Sequence, residues 1–186
     1  MDASQSLANH FLIAMPALAD PNFVRTVTYI CEHSEDGAMG IVINRPMELD
    51  LATVLDQLDM TMEAPGGETP VFQGGPVQTE RGFVLHRPLG DWEATLEVTD
   101  DIGLTASRDI LAAIARGEGP ERFLVALGYA GWGAGQLESE LAQNAWLSGP
   151  ADPTILFDTP PTERWARAAA LLGVDIGLLS GDAGHA

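Results

Sequence analysis

The sequence feature that most limits the possible folds is a pair of segments rich in β-branched residues. A tight-turn sequence joins them. Residues 26–32 and 39–43 have the composition of strands, and residues 34–37 between them read Ser-Glu-Asp-Gly. Asp-Gly favours a hairpin turn because both residues readily adopt the backbone angles that such a turn requires. Residues 41–43 are continuously apolar, which is typical of a strand buried on both faces. The chain is therefore predicted to build an antiparallel hairpin into a covered sheet.

Strands and helices alternate along the rest of the chain. Further strands are predicted at residues 11–15, 71–73, 82–86, 95–98, 102–104, 123–127, 145–147 and 154–157. Helices are predicted after the capping residues Asp50, Ser107 and Thr159, and at residues 136–143. This order predicts a mixed α/β fold, with helices packed against a mixed sheet. A chain of 186 residues without a long linker is expected to form one domain, residues 1–186, with a frayed glycine-rich tail at 180–186.

The charge composition excludes several chemistries. There are 27 acidic and nine basic residues, all nine are arginines, and the formal net charge is −18. A chain without lysine has neither a Schiff-base lysine nor the lysine of a phosphate-binding loop. Nucleic acids are bound through basic side chains that displace counterions, so this acidity argues against direct nucleic-acid binding.

A single cysteine, Cys31, predicts a reducing compartment, and we expect a cytoplasmic protein. Residues 11–19 are apolar but no basic residue precedes Arg25, so a strand and loop are predicted there and not a signal peptide. No apolar run has the length of a membrane span, and no membrane association is expected. On its predicted strand, Cys31 is interpreted as a buried small apolar residue and not as a nucleophile.

A glycine-rich segment, residues 128–135, joins a predicted buried strand to a helix. Glycines permit close approach of a ligand to the backbone, and free N–H groups at a helix start can bind an anion. The spacing matches no nucleotide fingerprint, however, and acidic residues follow in the helix, so a purely structural strand–helix corner is the alternative. The candidate ligand-binding residues here are Gly131, Trp132, Gly133, Gly135, Gln136 and Glu138.

Two shorter segments are candidates for walls of the same site. Asn44 and Arg45 follow a buried strand, and an arginine there can bind a carboxylate or phosphate through paired hydrogen bonds. Gly74 and Gly75 form a predicted tight loop. In the structural alternative, Asn44 makes a turn and Arg45 pairs with a neighbouring acid.

The titratable residues suggest neither a metal centre nor a catalytic triad. The four histidines, at positions 10, 33, 86 and 185, lack zinc-type spacing, so no metal and no cofactor are expected. His33 and the acids around it are interpreted as a solvated turn. No nucleophile-elbow sequence is present, and catalytic residues stay unknown.

Taken together, four segments resemble the AlgH/YqgE family of bacterial proteins. They are residues 11–16 (FLIAMP), 36–46 (DGAMGIVINRP), 74–77 (GGPV) and 128–138 (GYAGWGAGQLE), and the resemblance runs over about residues 7–172. It implies a compact α/β domain whose sheet curls into a partly open barrel with helices around it. It implies little about activity, since the family is largely uncharacterised and some members are named as transcriptional regulators.

Three functions stay open from the sequence. The first is a non-enzymatic binding or regulatory protein that acts through a protein partner or a small anionic ligand, at a shallow site formed by the segments above. The second is an enzyme acting on a small anionic metabolite, with Arg45 holding the anion and Glu138 as acid or base. The third is a structural or interaction protein whose glycines only shape the backbone.

Overall fold

A computed structural model describes residues 6–16, 18, 20–21 and 23–174. These described residues form ten strands and four α-helices. The strands are β1 (His10–Ala14), β2 (Val27–Ser34), β3 (Gly37–Val42), β4 (Pro46–Asp50), β5 (Pro70–Gln73), β6 (Val77–Arg87), β7 (Thr95–Glu97), β8 (Gly103–Thr105), β9 (Arg122–Gly133) and β10 (Trp146–Pro150). The helices are α1 (Leu51–Gln57), α2 (Arg108–Ala115), α3 (Gln136–Ala142) and α4 (Pro161–Leu171).

The predicted hairpin is present as β2 and β3, joined through the two residues 35 and 36. Gly37 is essential to it, because a Cβ atom there would lie 2.3 Å from the carbonyl oxygen of Trp132 on the neighbouring strand. The register of β2 shifts between Ile30 and Glu32, which is a β-bulge that bends the strand.

One curled sheet contains all ten strands. The order β10-β1-β2-β3-β9-β6-β8-β7 is antiparallel throughout, and β5 adds a parallel pairing to β9, with β4 beyond it. The curl forms a half-barrel, so the predicted mixed α/β fold with a partly open, barrel-like sheet is confirmed.

The long strand β9 organises this sheet. Its first half lies between β5 and β6, and its second half pairs with β3. The change of partner occurs around Gly128, whose φ of 78° bends the strand. The prediction of a glycine-rich turn directly after residue 127 is therefore wrong, because β9 continues to Gly133 and the glycines shape a strand.

Alternate residues of each strand pack on opposite faces of the sheet. On β9, Leu124 and Ala126 belong to one core, which also receives Trp165 of α4, whereas Val125 belongs to a second core under α1 and α2. A third core includes Trp132 and lies beneath α3. Both faces of the sheet are therefore covered, as the continuous apolar run in β3 predicts.

The C-terminal part differs from the prediction in two details. Residues 154–157 form a wide helical turn, Thr154–Asp158, and not a strand, because Asp152 accepts the N–H groups of the following residues. The last helix begins at Pro161, and the Thr159 hydroxyl donates back to the Thr154 carbonyl in place of capping α4. The predicted frayed tail lies outside the described residues.

Arg164 of α4 is buried, a feature that no sequence pattern indicated. Its guanidinium donates to the carbonyls of Ile43 and Thr159 and lies 5.1 Å from the ring centre of Phe72. Burial lowers the pKa of Arg164 to about 10. This side chain fixes α4 to the end of the first hairpin. In the described part of the chain, no helix has both the length and the apolar character needed to cross a bilayer.

Candidate functional site

Asn44 and Arg45 fasten the end of β3 to the loop before β2. The Asn44 side chain accepts the N–H of Val27 at 2.9 Å and donates to the Arg25 carbonyl at 2.9 Å. The Arg45 guanidinium donates to the Val24 carbonyl at 2.9 Å. Burial lowers the pKa of Arg45, and the nearby Asp20 carboxylate opposes that shift. Both side chains thus bind backbone of their own chain.

Gly74 and Gly75 lie where three backbone segments meet. The Gly74 carbonyl accepts from Val42 at 2.8 Å, and its N–H donates to Leu127 at 2.8 Å. A Cβ atom would lie 2.3 Å from the carbonyl oxygen of Gly128 at position 74 and 2.1 Å from the carbonyl carbon of Tyr129 at position 75. These glycines are required by close packing, which leaves no space for a ligand. We call residues 74–75 and 128–129 the backbone crossing.

The glycine-rich corner, residues 131–136, has its polar groups occupied from within the chain. The N–H of Gly133 donates to the side-chain oxygen of Gln136 at 2.9 Å. Gly135 adopts the left-handed conformation directly before α3, with φ of 74°. Gly131 and Gly133 lie on the exposed end of β9. The predicted anion cradle is thus partly filled by the Gln136 side chain, and α3, with its seven residues, is a short helix.

Trp132 anchors this corner to the protein. Its indole N–H and that of Trp146 donate to the same oxygen of Glu140, at 3.0 and 2.9 Å, and Gln136 donates to the other oxygen at 2.9 Å. The Trp132 ring also stacks on Phe23, with 6.1 Å between ring centres. The structural interpretation of Trp132 as an anchor therefore accounts for its contacts.

Glu138 holds a buried histidine. Leu7 donates its N–H to Nδ1 of His33 at 2.9 Å, so the proton of the neutral ring is assigned to Nε2, which donates to Glu138 at 3.1 Å. The interpretation of His33 as part of a solvated turn is therefore wrong. The pKa of Glu138 is lowered, chiefly by its own backbone N–H and further by His33. A carboxylate of lowered pKa is a weak general acid or base near neutral pH.

The predicted residues lie in two places. Gly133 pairs with Gly37 at the start of β3, whereas Asn44 and Arg45 follow the end of that strand. The seven residue steps of extended chain from Gly37 to Asn44 span about 23 Å. Gly74 lies with the second group, because Gln73 donates to the Arg45 carbonyl at 2.9 Å. The predicted segments therefore do not come together in one common site.

A bulge of β6, residues 78–81, separates two concave surfaces that the sequence did not reveal. Val77 pairs with Tyr129 and Gly82 with Leu127, so five steps along β6 match two along β9. Gln78 has a φ of 48°, and the four bulge residues are exposed. Bulges of this kind are frequent beside binding sites, because they redirect side chains out of the sheet.

On one side of the bulge lies a cavity of about 430 Å³, which we call the α1–α2 cavity. That volume is within the range of pockets that hold small molecules. Polar side chains line it at residues 57, 79–81, 107 and 108. Its apolar lining consists of Val54, Leu58, Ala106, Leu111, Val125 and Leu127.

On the other side, an open depression of about 540 Å³ contains Gly131 and Trp132, two of the predicted residues. It is lined further by Met39, Arg81 and Tyr129. The depression lies wide open to solvent, so a ligand there keeps much of its surface wet. The α1–α2 cavity is more enclosed and more apolar, and it is the better candidate for a binding site.

Ser107 at the cavity rim has no activating base. Its hydroxyl donates to the carboxylate of Asp109 and accepts the N–H of Ala94 at 3.1 Å, so it does not cap α2 through its side chain, contrary to the prediction. Burial alone would raise the pKa of Asp109, but hydrogen bonds from Ser107, Glu93 and Ile110 hold it below its usual value. Such a carboxylate is a poor acceptor for a proton from a hydroxyl.

The sequence offered no motif for this cavity. The apolar faces of α1 and α2 were correctly expected, but an apolar helix face normally indicates core packing. Gln78 in the bulge has a positive φ, a conformation in which glycine is usual. Because the residue is not glycine, no sequence signal indicated the bulge. A cavity between four separate segments exists only once the sheet has curled.

Known proteins resemble this chain over nearly its whole length. A sequence model of the AlgH-like family matches residues 11–177. A UPF0301 protein of Thioalkalivibrio sulfidiphilus is 63% identical over 186 residues, covering all of both chains, and one of Nitrosococcus oceani is 63% identical over 181 residues, covering 96% of each.

Two solved structures share the fold. The solution structure of the AlgH protein from Pseudomonas aeruginosa is 55% identical, has a TM-score of 0.82, and the match covers 97% of this chain and 96% of that one. The crystal structure of protein DIP2367 from Corynebacterium diphtheriae is 19% identical with a TM-score of 0.75, covering 97% and 94%, and therefore shows the fold alone.

Proposed function

The chain belongs to the AlgH-like family of bacterial proteins, and from this premise we propose that it is a non-enzymatic protein that binds a small molecule in the α1–α2 cavity. The observation that carries the proposal is the cavity itself. It has an apolar interior, a polar rim and a volume of about 430 Å³ next to a bulged strand. Apolar enclosure with a few polar groups at the edge is the usual composition of a ligand pocket.

The chemistry of the rim favours binding over catalysis. Among the described residues that line the cavity there is no histidine, cysteine or lysine, and Ser107 is bonded to a carboxylate of lowered pKa. An enzyme acting on an anionic metabolite through Glu138 has less support, because Glu138 is bonded to His33 on another part of the sheet.

We expect any regulatory output to pass through a protein partner. A net charge of −18 opposes approach to a nucleic-acid backbone, so ligand binding changes transcription only if another protein senses the bound state. A cytoplasmic location, predicted from the single cysteine, is consistent with such a role.

The test is a thermal-unfolding screen of the full chain against carboxylates, phosphate esters, nucleotides and neutral amphiphiles. A ligand at a hundred times its Kd stabilises the fold by about 2.7 kcal/mol, which raises Tm by roughly 5–10 °C for a chain of this size. Leu111→Trp in α2 and Leu58→Trp directly after α1 fill the cavity from two sides and should remove the shift.

Leu171→Trp is the matched control, because Leu171 is an exposed leucine of α4, outside the cavity lining. It should leave the ligand-induced shift intact. The proposal is wrong if no compound raises Tm, or if the shift persists in both cavity-filling variants.

A further inference from the structure

Two arginines at the rim of the α1–α2 cavity differ from most others in the chain. Arg87, Arg116, Arg122 and Arg167 each lie within 4 Å of a carboxylate, as expected where acids outnumber bases three to one. Within the described residues, Arg81 and Arg108 make no such ion pair. Both line the cavity.

Neutral groups hold these two guanidiniums in place. Arg108 donates to the Leu58 carbonyl at 2.7 Å, and Arg81 donates to the Gln78 side chain at 3.3 Å and lies 5.3 Å from the ring centre of Phe83. A guanidinium has five N–H donors, so each keeps donors for a further partner. Both arginines are exposed at the cavity mouth.

The cavity lining has more positive than negative charge in an acidic protein. Arg81, Arg108 and Glu80 are the charged residues of the lining, so their formal charges sum to +1, whereas the chain carries −18. The Asp109 carboxylate lies just outside the lining, bonded to Ser107, so the attraction for an anion comes from the two guanidiniums themselves and not from a broad basic surface. Arginine binds carboxylate and phosphate groups through paired, charge-assisted hydrogen bonds.

We infer that the ligand of this cavity is an amphipathic anion, with an apolar body inside and one carboxylate or phosphate head bound by Arg81 and Arg108. This inference rests on the proposed function. An apolar cavity of about 150 Å³ accepts benzene, so 430 Å³ accommodates a body of roughly fifteen non-hydrogen atoms. Small-molecule acids of this size, and not nucleotides or polymers, fit both the volume and the charge.

The test compares the affinities of ligands that share the same apolar body and differ only in the head group. Octanoate, octyl phosphate, octanamide and octylammonium, with 2-naphthoate and its amide as an aromatic pair, are titrated into the full chain by calorimetry. We expect at least one acid to bind at least tenfold more tightly than its amide, and octylammonium to bind weakest. The ratio between octanoate and octyl phosphate distinguishes a carboxylate site from a phosphate site.

Arg81→Gln and Arg108→Gln should each weaken binding of the acid about tenfold and leave binding of the amide unchanged. The matched controls Arg116→Gln and Arg167→Gln remove exposed arginines outside the cavity and should bind like the wild type. Tm of each variant is measured to confirm that it folds.

The outcomes separate this inference from the proposed function. If amide and acid bind equally, neither arginine matters, and Leu111→Trp blocks both, the cavity is a binding site but the anionic head is wrong. If none of the probes binds, or binding survives Leu111→Trp, both the ligand class and the proposed site are wrong.

Discussion

The backbone crossing and the α1–α2 cavity both lie beside the same bulge, and they differ in how closely their atoms pack. At the crossing, added Cβ atoms would lie 2.1–2.5 Å from backbone atoms of a neighbouring segment. In the cavity, about 430 Å³ stays open between side chains. The crossing contains Gly74, Gly75 and Gly128 of the glycine motifs, and the cavity lining contains no motif residue.

The difference shows what glycine motifs encode in this protein. At the crossing they permit the close approach of the segment after β5 to β9 and to the start of β6. The cavity beside them is lined by α1, α2, the bulge and β9, and these glycines are not part of its lining.

The largest effect is expected from Gly75→Ala at the crossing. A methyl group there overlaps the backbone of Tyr129, so β5 and β9 must separate, and the free energy of unfolding should fall by about 3 kcal/mol or more. Urea denaturation followed by circular dichroism measures the change. Stability equal to that of the wild type contradicts the close packing of the crossing.

Arg164→Leu tests the contribution of a buried arginine to stability. The substitution leaves the carbonyls of Ile43 and Thr159 without their buried donor, and we expect a loss of about 2–3 kcal/mol. Arg167→Leu, on the exposed side of the same helix, serves as the control and should change stability by less than about 0.5 kcal/mol. Similar losses in both variants mean that helix α4 as a whole, and not the buried bonds, is responsible.

A pH titration of stability tests the strands beside the cavity. His86 is fully buried, and it bonds the Thr105 hydroxyl at 2.7 Å and the Pro88 carbonyl at 3.0 Å. Burial lowers the pKa of His86 below its usual 6.5. As the pH falls, His86 is therefore protonated in the unfolded chain before it is protonated in the folded one. The contribution of neutral, buried His86 to stability is complete above pH 6.5 and is lost as the pH falls towards the folded-state pKa.

Because the pKa of His86 is lowered in the folded state, stability should fall as the pH drops below 6.5. Urea denaturation from pH 7.5 to pH 5 should show a steeper decline for the wild type than for His86→Gln, which has no imidazole to protonate. Parallel curves for the two proteins contradict the role of His86.

The smallest effect is expected from Gly133→Ala in the glycine-rich corner. The nearest atom to an added Cβ is the Gln136 side-chain oxygen, at 3.9 Å, and the backbone angle there suits any residue. We expect the free energy of unfolding to change by less than about 0.5 kcal/mol and ligand binding to be unchanged. A large loss of binding in this variant would indicate that the glycine-rich corner, and not the cavity, is the binding site.

Much of the fold was predictable because its signals are local. The turn at residues 35 and 36, the Asp50 cap of α1 and the apolar faces of the helices all follow from neighbouring residues. The partner change of β9 at Gly128 was not predictable, since it depends on a contact with Gly75 more than fifty residues away. The buried Arg164 depends likewise on Ile43, a distant strand end.

The candidate site was predictable only in part. Arginine as an anion-binding residue was expected, but at Arg45, whose guanidinium binds the Val24 carbonyl. Arg81 and Arg108 carried no signal, because an isolated arginine on a bulge or at a helix start is common on protein surfaces. Within the described residues they combine exposure at the mouth of a cavity with the lack of an ion pair to a carboxylate, and only the arrangement in space reveals this combination.

The most direct test locates the bound ligand on the fold. Amide chemical shifts of ¹⁵N-labelled protein are followed by NMR during titration with octanoate and, in parallel, 2-naphthoate. We expect the largest changes at residues 54–58, 79–82 and 107–111, around the α1–α2 cavity. Changes centred on residues 131–136 or 44–45, or no saturable change with either acid, would contradict a binding site in this cavity.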